Sequence, residues 1–460
     1  MSSMLRQKRA IEIVNKLRLQ GFVGYFVGGS VRDLLLKRTP KDYDLVTDAT
    51  PDEVAKIFPK HHAIGRKFGV LTAIFPEGTY EIATFRAEKT YEDKRRPKEV
   101  FWTHAREDIS RRDFTVNGLL YDPIANKVVD YVHGQRDLEL RVIRFIGHAK
   151  KRIQEDPVRI LRAVRLKNKL RFQYDPTTYR ALTALSAELK HVSLERVRDE
   201  LNLMLSQASR LTALQDLDRI GALKILLPEI DALKGVPQPI DYHQEGDVYD
   251  HTLRALASLE TYSPSFLIWA VLLHDSGKPT TLSYKQVHGK PTITTNHHAE
   301  VSAEIAEQVL RRLHFSASET DTIAWMIRHH MSLKDIEQMR PVRQEAYVLD
   351  PRFPWLLELH KADALGAKPI DLSLYARDLK LYEGMKQRRL AAIKLSPTPL
   401  LNGHILQSEL ALMPGPMLGE LLEEVRNAQL QGLIRTPNEA IEYARALIKT
   451  NSTISSRQKN

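Results

Sequence analysis

The sequence predicts an α+β protein, a small mixed-sheet head followed by a long all-α stretch. Three observations carry this expectation. Residues 21 to about 147 alternate short β-rich runs with Gly and Pro turns. From about Ile153 the apolar spacing becomes helical, holds to about residue 230, and resumes at Tyr249. At 460 residues the chain is also too long for one hydrophobic core.

In chain order, Met1 to Gln20 is charged, with Ile11, Val14 and Leu17 at helical spacing. It reads as a capping helix, because a signal peptide needs an apolar core. Gly24-Tyr25-Phe26-Val27, Tyr43-Asp44-Leu45-Val46 and Val70 to Phe75 follow as strands. Tyr80 to Phe85 comes after the Pro76-Glu77-Gly78 turn and completes a hairpin. Arg86 to Asp108, with Arg95-Arg96-Pro97, is charged and aperiodic, so a mobile loop is expected. Gly235-Val236-Pro237-Gln238-Pro239 is the strongest linker signal, and Gly277 to Thr295 interrupts the later helices. These breaks divide the chain into a head at 1–150 (its helix at 1–20), a helical neck at 151–235, a third domain at 236–370 and a helical tail at 371–460. In the tail, Pro414 to Pro416 stops one helix and starts another carrying Leu418, Leu421, Leu422 and Val425. Gly419 inside that helix implies close packing, and Asn451 to Asn460 reads as a frayed polar end.

Hydrophobic content of 43% and charged content of 27% are ordinary for a globular protein. The chain has no cysteine, which excludes disulfide-linked partners and thiolate metal sites. No apolar run approaches the roughly 20 residues of a membrane span, so no membrane partner and a cytoplasmic location are expected. The net charge of +11 favours a polyanionic partner.

The most informative run is Val27-Gly28-Gly29-Ser30-Val31-Arg32-Asp33, followed by Asp42 and Asp44. Gly28 and Gly29 allow close backbone approach, and the helix start behind them offers free N–H groups to a phosphate. In a strand, residues two apart share a face, so both aspartates can converge on a pair of hard cations. Glu81 can project beside them as a third carboxylate. The pattern suits a nucleoside triphosphate bridged by two cations to an attacking hydroxyl.

Three further motifs follow. They are Arg111-Arg112-Asp113-Phe114-Thr115-Val116-Asn117, then Gly134-Gln135-Arg136-Asp137-Leu138, then Glu155-Asp156-Pro157-Val158-Arg159-Ile160-Leu161-Arg162-Ala163-Val164-Arg165. In the third, Pro157 fits a first helical turn with Glu155 or Asp156 near the N-cap. Arg159, Arg162 and Arg165 then form a slowly rotating basic stripe opposite Ile160, Leu161, Ala163 and Val164. A planar guanidinium meets a base edge or phosphate oxygens in two-pronged fashion, which suits a nucleotide pocket.

With these motifs in order, the chain resembles the class II tRNA nucleotidyltransferases and bacterial poly(A) polymerases, within the polymerase-β-like nucleotidyltransferases. The resemblance runs from Tyr25 to about Leu205 and includes Val192 to Leu201. It implies that Asp42 and Asp44 hold two magnesium ions, and that Gly29 and Arg32 contact a triphosphate. Arg112 and Asp113 would touch the nucleotide's sugar and phosphates, supported by Arg111 and Asn117. Asp156 and Arg159 would pair with the base edge, and Arg162 and Arg165 would complete the pocket.

His251, the doublet His274-Asp275 after the apolar run Leu267 to Leu273, and Asp363 resemble the HD phosphohydrolase superfamily. The resemblance puts the doublet on a helix. Imidazoles with carboxylates suit a divalent transition metal (nickel, cobalt, manganese or zinc), whose bound water could attack a phosphate. His298 and His330 are further candidate ligands, with His297 and His329 as neighbours able to replace them. The tail resembles that of tRNA nucleotidyltransferases. The expected activity is therefore template-independent addition of CMP and AMP from CTP and ATP to the tRNA 3′ end. The partners would be the tRNA acceptor end and elbow, and the HD site could act on RNA 3′ phosphates. Poly(A) addition, or CC-only or A-only addition, stays open as an alternative.

Overall fold

The computed structural model describes residues 3–62, 69–91, 97–240, 243–287, 290–395, 399–413 and 415–457. The chain divides into two compact units. The first comprises Met1–Lys234, Glu260–Ile268 and Gln308–Ser316, and the second Gly235–Leu259, Trp269–Glu307 and Ala317–Asn460. Among the described residues no helix is long and apolar enough to cross a membrane.

The first unit opens with helix α1 (Ser3–Leu19). Ala10, Ile13, Val14 and Leu17 are buried on one face, at the spacing that brings helical residues into line. That face lies close to strand β1 (Gly24–Val27). A Cβ on Gly24 would sit 3.3 Å from both Leu17 and Val14, so glycine sets the approach. Three arginines fasten the helix to the head: Arg6 to Asp42, Arg9 to Glu77 and Arg18 to Asp122.

The remaining head strands are β2 (Asp44–Thr47), β3 (His61–His62), β4 (Val70–Phe75), β5 (Gly78–Thr84), β6 (Arg86–Tyr91), β7 (Pro97–Trp102), β8 (Leu119–Asp122) and β9 (Lys127–Asp130). Six of them join β1 in one seven-stranded sheet in the order β3-β4-β5-β2-β1-β8-β9. It is a mixed sheet, because β2 and β5 run parallel while the other neighbours are antiparallel. Helices α2 (Gly29–Leu35), α3 (Pro51–Ile57), α4 (Ala105–Ser110) and α5 (Gly134–Glu139) complete the head. Val27, Val46, Phe85, Ile109 and Leu120 form one of its buried clusters.

The expected mobile loop after Arg86 is instead the hairpin β6–β7, with Arg86 opposite Trp102 and Ala87 opposite Phe101. Antiparallel pairing satisfies the backbone of a charged segment without an apolar face, so periodicity gave no sign of it. Arg95 and Arg96 lie outside the described residues.

The neck begins with α6 (Ala149–Glu155) and α7 (Arg159–Leu170), then α8 (Pro176–Ala184), α9 (Leu194–Leu205) and α10 (Arg210–Arg219). Pro157 lies in the turn that leads into α7, as expected, and the residue before it, Asp156, is extended at φ −152° and ψ 96° with its Oδ1 accepting from the Val158 N–H at 3.3 Å. A proline forces its predecessor out of the helical region, which ends α6 there. Ile160, Leu161, Ala163 and Val164 are fully buried, as the wheel requires. Asn168 and Lys167 on α7 both reach Asp216 of α10, each at 2.7 Å.

In the second unit, helices Val248–Ser258 and Phe353–Gly366 pack so tightly that a Cβ on Gly366 would come within 3.0 Å of Ala255 and His251. The Gly277–Thr295 interruption is a short helix, Lys278–Thr281, and a hairpin of Ser283–Val287 with Lys290–Thr294. Toward the carboxyl end, Leu401, Leu406, Leu421, Val425, Ala428, Ile434, Ala440 and Ala444 share a small core. Helix Pro416–Leu430 starts where the prolines direct; Pro414 itself lies outside the described residues. Gly419, however, faces open space, so close packing does not explain it. The expected frayed end is helical to Arg457, because helix Pro437–Arg457 continues through it.

Gly134 gives a test of the head's packing. A Cβ there would meet the Thr115 carbonyl oxygen at 2.2 Å, and backbone cannot yield cheaply. Gly134→Ala should cost about 1–3 kcal/mol, seen as a lower urea midpoint for the head. An unchanged midpoint would mean that α5 shifts freely.

Candidate functional site

The head site forms where β1 ends. Pairing of β1 with β2 stops at Val27 opposite Asp44, and Gly28 then turns the chain away at φ 71°, a conformation that favours glycine. Arg112 and Arg32 line this turn: Arg112 Nη1 lies 3.7 Å from where a Gly28 Cβ would be, and Arg32 Nη2 3.5 Å from one on Gly29.

Asp44 is the first residue of β2 and is exposed. One step beyond the Leu45–Ile82 pair, Glu81 on β5 stands beside it. Desolvation raises the Asp44 carboxyl above the usual aspartate range, and repulsion from Glu81 and Asp42 adds to this while Arg112 opposes it. Asp42 departs from expectation, because it lies in a bend ahead of the strand and not within it. Strand alternation therefore orients Asp44 but not Asp42. The Asp42 carboxylate, 68% exposed, instead lies 3.1 Å from the Arg6 guanidinium. Among the described residues these head carboxylates do not gather three ligand atoms within 4.8 Å. Their chemistry still fits hard divalent ions, since they are oxygen donors at one sheet edge beside an anion-attracting turn.

A polar chain runs inward from the turn. Arg32 Nη1 donates to Asn117 at 2.6 Å, and Asn117 donates to Asp113 at 3.4 Å. Asp113 Oδ2 forms an ion pair with Arg162 at 2.7 Å, though without good hydrogen-bond angles. Burial pushes the Asp113 carboxyl up, but Arg162, the Phe114 N–H, Arg159 and Asn117 outweigh it and hold it below the usual range. Asp156 receives both prongs of Arg196, at 2.9 and 2.7 Å. Arg159 is buried and donates to the carbonyls of Arg152 and Arg111 and to Glu155. It therefore points inward, whereas Arg162 is 41% exposed and Arg165 binds Glu200 at 2.7 Å.

Two residues in this region carry weight that sequence reasoning missed. Asp108, almost fully buried, holds Arg111 through Oδ1 at 2.6 Å and Arg112 through Oδ2 at 3.0 Å. Its spacing of three and four residues from those arginines was the available signal. Arg196 sits in the recognised Val192–Leu201 motif, but only the fold shows that Asp156 is its partner.

In the second unit, His251, His274, Asp275, His298, His330 and Asp363 come together. The doublet His274-Asp275 lies just past the end of helix Ser265–Leu273 and not on it, because His274 Nδ1 donates back to the Val271 carbonyl at 2.8 Å. The same anchoring recurs at His298, on the Thr295 carbonyl at 2.7 Å, and at His330, on the Ile327 carbonyl at 2.6 Å. His251 Nδ1 instead meets Glu245 at 2.9 Å. A carbonyl or carboxylate only accepts, so each Nδ1 carries a proton, while Nε2 turns toward the cluster, where that of His251 is hydrogen-bonded to Asp363 at 2.9 Å. Glu245 was also missed. It is held down to about 2, because hydrogen bonds from His251 and His243 overcome its burial.

The Nε2 atoms of His251 and His274 lie 2.9 and 3.5 Å from Asp363 Oδ1, and 3.7 and 3.2 Å from Asp275 Oδ2. Such spacings match the edges around a cation ligated at about 2.0–2.2 Å. Burial lowers the His274 pKa, yet Asp275 and Asp363 raise it overall to about 10. His330 is pulled down to about 3 by burial and by His274 and His298. His297 is exposed and His329 stacks on Trp325 at 4.6 Å, so of each neighbouring pair it is His298 and His330 that face the cluster.

Comparison with known proteins adds the class. Residues 24–144 match the poly A polymerase head domain, 171–234 the probable RNA and SrmB-binding site of polymerase A, and 248–382 the HD domain. Three stretches of the chain are thus similar to a poly A polymerase head, to its probable RNA-binding region and to an HD domain. More particularly, the chain is 41% identical over 195 residues to the CCA-adding enzyme of Staphylococcus epidermidis, and 42% over 194 residues to that of Staphylococcus haemolyticus. Each match covers 42% of this chain and 48% of the relative, so the chain spans about half the length of the curated relatives it matches. Its fold is similar to the Bacillus stearothermophilus CCA-adding enzyme in complex with CTP, with TM-score 0.71 and 23% identity over 97% of this chain and 98% of that one. It is also similar to the Thermotoga maritima enzyme complexed with tRNA, with TM-score 0.53 and 21% identity over 96% and 95%.

Asp108 yields a testable consequence. Burial pushes its carboxyl up, but Arg112 and Arg111 outweigh that and hold it below the usual range. A depressed carboxylate contributes stability above its unfolded pKa, and loses it as pH falls through the folded one. Asp108→Asn should therefore lower the melting temperature at pH 7 and weaken nucleotide binding about tenfold, through misplacement of Arg112. The difference in melting temperature should shrink in acid. A difference independent of pH would show that the ion pairs contribute little.

Proposed function

We propose that the chain is a tRNA nucleotidyltransferase that adds CMP and AMP, from CTP and ATP, to the 3′ end of tRNA. The observation that carries this reading is the meeting of Asp44, Glu81 and Arg112 at the Gly28–Gly29 turn. The identity to CCA-adding enzymes and the fold likeness to forms bound to CTP and tRNA support the substrate choice. In this reading 1–150 is the catalytic head, 151–235 the nucleotide-reading neck, 236–370 the HD domain and 371–460 a tail that grips tRNA.

Each side chain then has a role. Gly28 and Gly29 let the triphosphate approach the backbone, with Arg32 and Arg112 against its oxygens and Arg111 held as support by Asp108. Asp113, fixed by Arg162 and Asn117, meets the sugar. Asp156 presents its carboxylate to a base edge once Arg196 yields one prong, and Arg159 braces the Arg111 backbone beneath the pocket. Arg162 and Arg165 close the far wall. Asp42 and Asp44, with Glu81 beside them, would hold two magnesium ions; when bound, these activate the RNA 3′-hydroxyl and neutralise the leaving pyrophosphate. Alignment and charge stabilisation provide the rate without a covalent intermediate.

In the HD domain, His251, His274, Asp275 and Asp363 would hold one divalent transition metal, and Glu245 fixes the ring of His251. That site suits hydrolysis of terminal or 2′,3′-cyclic phosphates on RNA, which would restore a 3′ end for nucleotide addition. Atomic spectroscopy after loading with nickel, cobalt or manganese checks the site, and an empty site overturns it.

Asp42→Asn and Asp44→Asn should each reduce nucleotide addition by about a thousandfold or more while the protein stays folded. Activity near wild type in either would refute the head assignment. The product is read with tRNAs ending before the C, CC and A additions, given CTP or ATP alone. Long A-tails on unstructured RNA would favour the poly(A) reading, and addition stopping after CC, or confined to the last A, a partial enzyme.

A further inference from the structure

We propose that Lys169 is a further phosphate-binding residue, which takes the distal phosphates of the incoming nucleotide together with Arg32. The inference rests on the nucleotidyltransferase reading above and carries its pocket to the last turn of α7.

The geometry comes from α7 itself. At about 100° per residue, position 169 returns to within about 20° of position 162, about 10 Å further along the axis. Arg162, Arg165 and Lys169 therefore share one face, turned away from the buried Ile160, Leu161, Ala163 and Val164. Arg162 is held by Asp113 and Arg165 by Glu200, each at 2.7 Å. Lys169 is exposed, and among the described residues its ammonium makes no hydrogen bond or ion pair.

The surroundings of that ammonium are mostly cationic. Arg32, Arg165 and Arg38 press on it, with Asp33 opposing them. The Asp33 carboxylate is already engaged by Arg32, at 2.9 Å from Nε and 2.8 Å from Nη2. Desolvation, then the three guanidinium groups, pull the Lys169 pKa below the usual lysine range. Crowded like charge is unfavourable, because each cation disfavours the ionised form of the others. A lysine needed only to face the negative end of its helix gains by turning out to solvent or to an acid. Lys167, in the same last turn, does the latter and meets Asp216 at 2.7 Å. Lys169 stays beside Arg32, where an anion would balance both.

The position also selects the anion. Arg32 lines the Gly28–Gly29 turn, with Nη2 3.5 Å from where a Gly29 Cβ would be, and that turn is the seat of the triphosphate in the reading above. Asp156, which meets the base in that reading, stands just before α7, and Lys169 stands near its end. The helix has 12 residues and is about 18 Å long, so it can lie along an extended nucleotide from base to terminal phosphate. The two cations there are complementary. Arg32 offers a fixed planar fork, while an ammonium with three rotatable donors suits a terminal phosphate whose oxygens turn freely.

The test uses the full chain in magnesium buffer, with calorimetric titration of CTP, CMP and inorganic pyrophosphate. Lys169→Met should weaken CTP and pyrophosphate binding about tenfold and leave CMP unchanged. Lys169→Arg, which keeps the charge, should recover most of the loss. CTP binding equal to wild type in Lys169→Met overturns the inference and leaves the nucleotidyltransferase reading standing. Equal losses for CTP and CMP would show a structural role and overturn it as well. A loss confined to tRNA ending before the C additions, with CTP unaffected, assigns the lysine to the RNA backbone and overturns it too. Failure of the unsubstituted chain to bind CTP overturns both readings.

Discussion

The structure of the head depends on a crowding of like charge. Asp44 and Glu81 end up as neighbours because β2 and β5 are parallel and in register, and Asp42 is carried near them by the bend before β2. Such a group repels itself, and this repulsion adds to desolvation in raising the Asp44 carboxyl. The fold tolerates it because the surrounding guanidinium groups are placed as counterweights. Arg112 is pinned by Asp108, Arg32 by Asn117 and Asp33, and Arg162 by Asp113. Each of these three guanidinium groups is held by an acid that is not itself in the crowded group.

The same logic, with imidazole in place of guanidinium, governs the second unit. Backbone carbonyls at Val271, Thr295 and Ile327 take one nitrogen of three histidines, and Glu245 takes that of the fourth. The ligand atoms are thereby aimed by local turns and helix ends, which are cheap to specify in sequence. Only their convergence requires the fold.

Much of the architecture was legible in the sequence because it rests on local rules. Strands Gly24–Val27 and Val70–Phe75 announced themselves by β-branched and aromatic runs between glycine turns. Helix Pro416–Leu430 was fixed by its prolines. Hairpin β6–β7 was not legible, because charged residues pair through backbone alone and leave no apolar period. The start of α7 was legible from Pro157 and its predecessor: Asp156 is extended and accepts from the Val158 N–H, and the helix begins two residues after the proline. Candidate site residues stand out where type and spacing carry chemistry, as with Asp42, Asp44 and His274-Asp275. Arg196, the partner of Asp156, and Glu245, the partner of His251, were hidden because they act across gaps of 40 and 6 residues that only folding closes.

Helix α1 has a further bearing on the head. Its Arg6 reaches over to the same carboxylate that an ion would need, while Arg9 and Arg18 clip the helix to distant corners of the sheet. The amino-terminal turn thus sets a tethered positive group against Asp42. Salt that screens this exposed contact would loosen the first turn of the helix without disturbing the sheet beneath, so ionic strength governs how firmly that end is held.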